Sequence, residues 1–363
     1  MTVRLGVIGL GNIARQHIQN VDSGAVTGCR IAALCSRNKP ENLPAGSVHF
    51  SDYRELVSSG VCDAVLIASP TMLHLDMGLC ALNAGLHVMM EKPIALSTAE
   101  AQQLIDAKSE GQVFALMLNQ RCAPVFQAMK RLIDEGALGP IQRTHWTMTN
   151  WFRPDVYFNV SDWRATWKGE GGGLLVNQCI HNLDIYQWLC GLPVQVTAHC
   201  SMGKYHPIEV EDEVTAMFRY ESGASGSFVG STGEAPGFNR LEIVGDLASL
   251  SFDGERLTLH KNQQSTAEFC RSTVDMFGTP SCDVKDITPD ATGVNQHALI
   301  MNNFVQAIEQ DETLIAPAED GMRSLGLANA ILMSHWQQQS VTCPPSATEF
   351  QSILDQRIAQ SGL

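Results

Sequence analysis

The sequence predicts an α/β protein in two parts. Residues 1–120 should form a doubly wound parallel sheet, and residues 121–363 an α+β domain with a large, open, mostly antiparallel sheet. Three observations carry this. The strand Val3-Arg4-Leu5-Gly6-Val7-Ile8 runs into Gly9-Leu10-Gly11-Asn12-Ile13-Ala14, a Gly-x-Gly-x-x-Ala turn. Short apolar strands then alternate with amphipathic helices as far as Gln120, the pattern of parallel strands joined by helical crossovers. Past Pro124 several strand-like runs are separated only by tight turns, as in antiparallel sheets.

In the first part, strands are predicted at Val3–Ile8, Arg30–Cys35, Ala64–Ala68, His87–Met90 and Val113–Leu118. Helices are predicted at Ala14–Val21, Tyr53–Ser59, His74–Ala84 and Thr98–Glu110. The last opens on Ser97-Thr98-Ala99-Glu100, in which Ser97 and Glu100 have capping-box spacing. In the second part, a predicted helix over Pro124–Glu135 stops at Gly136 and leads into a strand over Ile141–Thr149. Further strands are predicted at Gln195–Ser201, Glu213–Tyr220, Ala224–Ser231, Arg240–Val244 and Ala248–Phe252. Two helices, about Gln296–Gln310 and Glu319–Gln338, should follow, free to pack back on the first domain, and then a proline-rich tail.

Composition narrows the function. The net charge of -14 argues against a nucleic-acid or anionic-membrane partner, since both require a basic face. It leaves room for a phosphorylated cofactor, which needs only a local nest of donors. The 11 cysteines are scattered singly with no Cys-x-x-Cys, which reads as reduced thiols in a cytoplasmic protein rather than a disulfide framework or a metal site. No apolar run reaches the roughly 20 residues of a membrane span, and the opening apolar stretch reads as the first strand, not an export signal.

The chemistry concentrates in four places. In the opening turn Gly9 permits the sharp bend, Gly11 allows close approach of a pyrophosphate and Ala14 lets helix and strand pack, with Asn12 and Ile13 also expected to bind the cofactor. Glu91-Lys92-Pro93 closes the strand His87–Met90 and so faces the same cleft, where a charged lysine is costly unless something uses it. The end of the second strand, Cys35-Ser36-Arg37-Asn38-Lys39, lacks the acid that would bind the ribose hydroxyl of NAD. Ser36 and Arg37 could instead receive the 2'-phosphate of NADP, which is therefore the favoured cofactor, with NAD the alternative.

The fourth place is Gly171-Gly172-Gly173 followed by Asn177, His181 and Asp184, whose spacing predicts one polar stripe on a helix. An amide, an imidazole and a carboxylate suit a polyhydroxylated substrate, and histidine titrates near neutral pH, so His181 is the candidate acid/base. Just before it, residues 151–167 are rich in aromatics and arginine, with indole faces for sugar C–H surfaces and charged groups for hydroxyls. Arg121, Tyr157, Trp163 and Arg164 are the substrate candidates there, with Arg153 and His297 weaker ones.

These residues resemble the Gfo/Idh/MocA-type oxidoreductases. Gly9-x-Gly11-x-x-Ala14 is similar to the family's opening, and Ser69-Pro70-Thr71-Met72-Leu73-His74 to its segment beside the cofactor. Glu91-Lys92-Pro93 resembles its lysine signature, and Gly171 to Asp184 its histidine helix. The resemblance implies a Rossmann domain that binds the cofactor through Ser69, Pro70, His74, Glu91 and Lys92, among others. It implies that Lys92 orients and polarises the reacting group while His181 moves the proton, and that Asn177 and Asp184 bind substrate. Asn177 stands where inositol dehydrogenases carry aspartate. The outer face of the second sheet commonly builds dimers or tetramers in that family, so a homodimer or homotetramer is expected.

The expected function is thus hydride transfer between nicotinamide and a secondary alcohol or ketone of a sugar, cyclitol or sugar derivative, with no metal. Two other readings stay open on the sequence. One is an NAD-dependent glycosidase acting by transient oxidation and elimination; the other is a non-catalytic dinucleotide-sensing regulator.

Overall fold

The structure, a computed structural model, describes residues 2–361. Largely apolar strands form a first sheet whose central strands are buried on both faces, as parallel sheets require. Its strands are β1 (Val3–Ile8), β2 (Cys29–Cys35), β3 (Val48–Phe50), β4 (Ala64–Ile67), β5 (His87–Met90) and β6 (Phe114–Leu116). They lie parallel in the order β3-β2-β1-β4-β5-β6, the Rossmann arrangement. Helices α1 (Asn12–Asp22), α2 (Tyr53–Ser58), α3 (His74–Asn83) and α4 (Thr98–Ala107) make the crossovers. The cap of α4 departs from the expected box. The Ser97 hydroxyl accepts from the Glu100 N–H at 3.2 Å, but the Glu100 carboxylate accepts from the Leu96 N–H, one residue earlier.

The second sheet has nine strands in the order β14-β13-β12-β11-β7-β10-β9-β8-β15. These are β7 (Ile141–Met148), β8 (Gln195–Met202), β9 (Glu211–Arg219), β10 (Ser225–Ser231), β11 (Asn239–Gly245), β12 (Ala248–Phe252), β13 (Leu257–Asn262), β14 (Cys282–Asp286) and β15 (Val341–Thr342). All neighbours are antiparallel except β7 and β10, which run parallel because a long excursion separates them in the chain. Burial alternates along β9 and β10, so one face is packed and the other open. The packed face rests on α5 (Pro124–Asp134), α8 (Ile180–Cys190) and α11 (Ala318–Gln337). Trp146 stacks on Tyr186 of α8 at 6.4 Å between ring centroids, and Phe126 of α5 meets both Trp146 and Phe252. Each of these large side chains contributes roughly 1.5–3 kcal/mol by leaving water.

Short helices α6 (Asp155–Phe158), α7 (Trp167–Glu170) and α9 (Thr266–Ser272) punctuate the loops, and α10 (Gln296–Gln310) and α11 return to the first domain. The expected proline-rich tail is instead a helix, α12 (Ala347–Gln360), beginning just past Pro344-Pro345. Ser346 caps it through the Glu349 N–H, and Phe350 and Leu354, one turn apart, are fully buried, Phe350 stacked on Trp336 at 5.2 Å. Strands β3, β13, β14 and β15 were not expected. β14 is exposed along its whole length and so carries no burial alternation for a sequence to show.

Candidate active site

The β1–α1 turn is shaped for close approach. Gly9 has φ +91°, and a Cβ there would stand 2.5 Å from the Ala68 carbonyl oxygen just past β4. Gly11 caps α1 without a side-chain hydrogen bond, and open space lies where its Cβ would be. An uncovered helix N-terminus beginning at Asn12 and Ile13 offers free N–H donors and the positive end of the helix dipole. These residues fit a dinucleotide pyrophosphate.

The loops around that turn are braced by buried histidines. His74 places Nδ1 2.8 Å from the Pro93 carbonyl oxygen and Nε2 3.0 Å from that of Ser69. Burial pushes its pKa down, and both ring nitrogens face carbonyls, so His74 ties the segment after β4, Ser69-Pro70, to the segment after β5. His17 on α1 places Nε2 2.8 Å from Glu91 Oε1. Burial pushes the Glu91 carboxyl up, but the His17 hydrogen bond and nearby cations outweigh it and hold it below the usual range. At the end of β2 the Ser36 hydroxyl donates to the Asn38 carbonyl at 2.7 Å, while Arg37 is exposed beside it.

Lys92 leaves β5 and crosses to the second domain, where its Nζ donates to the Asn177 carbonyl at 2.9 Å. Burial pushes its ammonium pKa down; Glu91 and Glu170 oppose this, and Arg164 and Arg153 add to it. The Asn177 amide donates to Glu170 Oε1, and Glu170 Oε2 accepts from the Ala165 N–H at 2.6 Å. Burial raises the pKa of Glu170 above the usual carboxylate value. His181 has Nδ1 buried with no hydrogen-bond partner among the described residues. Its pKa lies well below the ordinary value because it is buried and because Lys92 and His297 stand near.

The expected helical stripe is not what the chain forms. Helix α8 starts only at Ile180, so Asn177 sits in the turn before it, His181 in its first turn, and Asp184 faces elsewhere. The turn before α8 is held by Glu211, which is completely buried and whose carboxylate accepts the N–H groups of Gly173 and Leu175 at 2.9 Å. Burial pushes the Glu211 carboxyl up to about 7, against the pull of these donors. Gly171, at φ +74°, and Gly173 permit the bend, since a Cβ on either would run into backbone of Leu96 or Glu211.

Arg121 and Asp184, expected to bind substrate, are instead paired with each other at 2.7–2.8 Å, each about 1 % exposed. Arg121 also donates to Asp320 and to the Ile315 carbonyl. Burial opposes its charge, but Asp184 and Asp320 outweigh that and raise its pKa. With their charges satisfied internally, the two hold α8 and α11 in place.

The aromatic loop does reach Lys92. Arg164 donates to the Tyr157 hydroxyl at 2.9 Å and lies 4.7 Å from that ring and 4.9 Å from Trp163. The sequence reading missed Glu170, His17 and Glu211. Glu170's one signal is its place immediately before the triple glycine; His17 and Glu211 look like ordinary helix and strand residues until the chain is folded.

Known families share this arrangement. Residues 3–119 match the profile of the oxidoreductase family with an NAD-binding Rossmann fold, and residues 126–251 match the GFO/IDH/MocA C-terminal domain. The chain belongs to the GFO/IDH/MocA family. It is 31 % identical to levoglucosan dehydrogenase of Pseudarthrobacter phenanthrenivorans over 232 residues, 57 % of this chain and 59 % of that protein. Inositol 2-dehydrogenase 2 of Saccharopolyspora erythraea aligns over 92 % of this chain and 93 % of its own length at 27 % identity. The solved WlbA dehydrogenase of Bordetella pertussis, in complex with NADH and UDP-GlcNAcA, superposes with a TM-score of 0.77. That comparison has 26 % identity and covers 95 % of this chain and 99 % of that one. The GFO/IDH/MocA assignment makes this an NAD-binding oxidoreductase fold with the open sheet described above. Among the described residues no helix is long and apolar enough to cross a membrane, and no cluster of His, Cys, Asp or Glu could hold a metal ion.

Proposed function

We propose that this chain is a dehydrogenase that oxidises a secondary alcohol of a sugar, cyclitol or sugar derivative, or reduces the corresponding ketone. One observation carries it: Lys92 of the first domain is held against the turn that leads into His181 of the second, beside a turn shaped for a dinucleotide. The bound nicotinamide dinucleotide supplies the hydride acceptor or donor. His181, kept neutral by burial and by Lys92, takes the hydroxyl proton in the oxidative direction. Lys92 orients the reacting oxygen, Glu170 and Asn177 fix the lysine, and Asn177, Tyr157, Trp163 and Arg164 line the substrate side. Levoglucosan, inositol and UDP-sugar relatives support a carbohydrate substrate. A screen of polyols, aldoses and anhydrosugars read by nicotinamide absorbance tests this, and silence with every member under both cofactors would refute it.

Within this reading NADP binds more tightly than NAD, because exposed Arg37 stands where an acid would repel a phosphate. Arg37→Ala is expected to weaken NADP binding by about 1.5–3 kcal/mol, the worth of a charged hydrogen bond, and to leave NAD nearly unchanged. Calorimetric titration of both cofactors decides it; equal losses mean that Arg37 only stacks on adenine.

The cytoplasmic assignment rests on the singly scattered cysteines, all of them free among the described residues. The assembly is a homodimer or homotetramer formed through the open face of the second sheet. That face carries Thr215 and Met217 of β9, with Met217 65 % exposed, beside Ser227 and Val229 of β10 and His145 and Thr147 of β7. Charged residues flank this patch on the same face, among them the Arg143–Glu242 ion pair at 2.8 Å, whose charges answer each other. Light scattering at micromolar concentration should give at least twice 39.5 kDa. Met217→Arg should shift the population to monomer, whereas a wild-type monomer removes the proposal.

A further inference from the structure

We infer that the cleft selects a sugar bearing a carboxylate, with Arg153, seconded by Arg164, as the subsite that receives it. This rests on the carbohydrate-dehydrogenase reading and narrows its substrate class.

The argument is one of local charge. The chain carries 38 acidic residues against 24 lysines and arginines, so a cluster of cations runs against its balance. Yet Arg153 and Arg164 both lie over the Tyr157 ring, at 5.1 and 4.7 Å. Arg164 stands 3.9 Å from the Glu170 that holds Asn177, the residue that receives Lys92. Both arginines depress the proton affinity of the lysine. Other acids nearby are engaged elsewhere. Asp184 faces Arg121, Glu211 holds the glycine turn, and Asp155 lies 3.1 Å from His206. Asp162 is exposed. Among the described residues Glu91, whose Oε2 accepts from the Lys92 backbone N–H at 3.3 Å, and Glu170, 3.9 Å from Arg164 and hydrogen-bonded to the Asn177 that receives Lys92, answer the three cations.

Arg153 has no carboxylate partner among the described residues. Its backbone N–H is fixed to the Thr232 carbonyl at 2.9 Å, and its Nη1 donates to the neighbouring Phe152 carbonyl at 2.9 Å. The guanidinium lies 5.0 Å from the Trp151 ring centroid and 5.1 Å from that of Tyr157, which sets its plane. Its Nε, like that of Arg164, is buried with no hydrogen-bond partner. Buried donors left unmatched are costly, and a planar guanidinium already oriented by two rings matches the two oxygens of a carboxylate. Three cations against the carboxylates of Glu91 and Glu170 leave an excess of one positive charge, which a monoanion balances.

The test uses the full chain with glucuronate, glucose and glucose 6-phosphate as probes under both cofactors. Glucuronate should exceed glucose in kcat/KM by about tenfold or more, the worth of one charge-assisted hydrogen bond. Arg153→Gln should bring that ratio close to one, and Arg153→Lys, which keeps the charge without the fork, should retain part of it. Glucose used as well as glucuronate by the wild type, or an equal loss for both in Arg153→Gln, overturns the subsite, since a purely structural arginine would not change the ratio. A preference for glucose 6-phosphate that Arg153→Gln abolishes overturns the carboxylate assignment in favour of phosphate. If no probe is turned over, calorimetry with the dinucleotide bound separates the two readings. Glucuronate binding that Arg153→Gln removes upholds the subsite while the dehydrogenase reading fails, and absence of that binding removes the subsite.

Discussion

Lys92→Met and His181→Ala are each expected to lower turnover by about two to four orders of magnitude while folding and dinucleotide affinity stay close to wild type. Methionine keeps the length of the lysine stem but cannot donate to the Asn177 carbonyl, so the reacting oxygen loses its orienting cation. Alanine at His181 removes the neutral base whose Nδ1 has no partner within the protein. Both residues serve one proton transfer, so the double variant should lose little more than the worse single one. Asn177→Ala should behave differently: it keeps the backbone carbonyl that receives Lys92 but loses the Glu170 contact and a group for a substrate hydroxyl, so KM should rise more than kcat falls. Steady-state kinetics on the four variants decide this. If His181→Ala retains near-wild-type turnover, the acid/base lies elsewhere, and Tyr157 is the next residue to change.

The second large effect concerns stability. Arg121→Met should cost about 3–5 kcal/mol, because it leaves Asp184 buried without its cation. For a chain of this size that is a fall of roughly 6–20 °C in apparent melting temperature. Asp320 would keep its contact with Arg323, so the damage centres on α8. Adding Asp184→Leu to Arg121→Met should recover part of the loss, since an apolar pair no longer strands a charge. Calorimetry on the single and double variants measures it. An Arg121→Met protein that melts like wild type but has lost substrate affinity would return Arg121 to the binding site.

The first sheet could be read from the sequence because β1, β4 and β5 are largely apolar and each is followed by a helix. Lys92 could be read because a lysine in such a place demands a use. Asp184 misled for a physical reason: three-residue spacing from His181 puts both on a helix, but the sequence does not reveal that Arg121, 63 positions earlier, claims the carboxylate. Asn177 misled because the helix begins only at Ile180, after a turn that Glu211 anchors from another strand. Helix α12 hid behind two prolines, although Ser346 and Glu349 had the right spacing and Phe350 and Leu354 the right period. What escaped the sequence are contacts between segments far apart in the chain.

The glycine turn has one more implication. Gly171 lies against Leu96 of the first domain so closely that a Cβ would come within 2.8 Å of its carbonyl, and Gly173 lies as tightly against Glu211. With the bridge from Lys92 to Asn177, the Gly171–Leu96 contact joins the two domains along one seam, and the Gly173–Glu211 contact stiffens its second side. A side chain cannot be introduced there by small steps, since even alanine would force the backbones apart. The loop over residues 151–164 hangs outside the seam, held by the Arg153 N–H on the Thr232 carbonyl and by side chains such as Arg164 and Tyr157. An engineer seeking a new substrate therefore has a natural division of labour: leave the seam untouched and vary the loop, where a changed residue alters what is held without moving the groups that react.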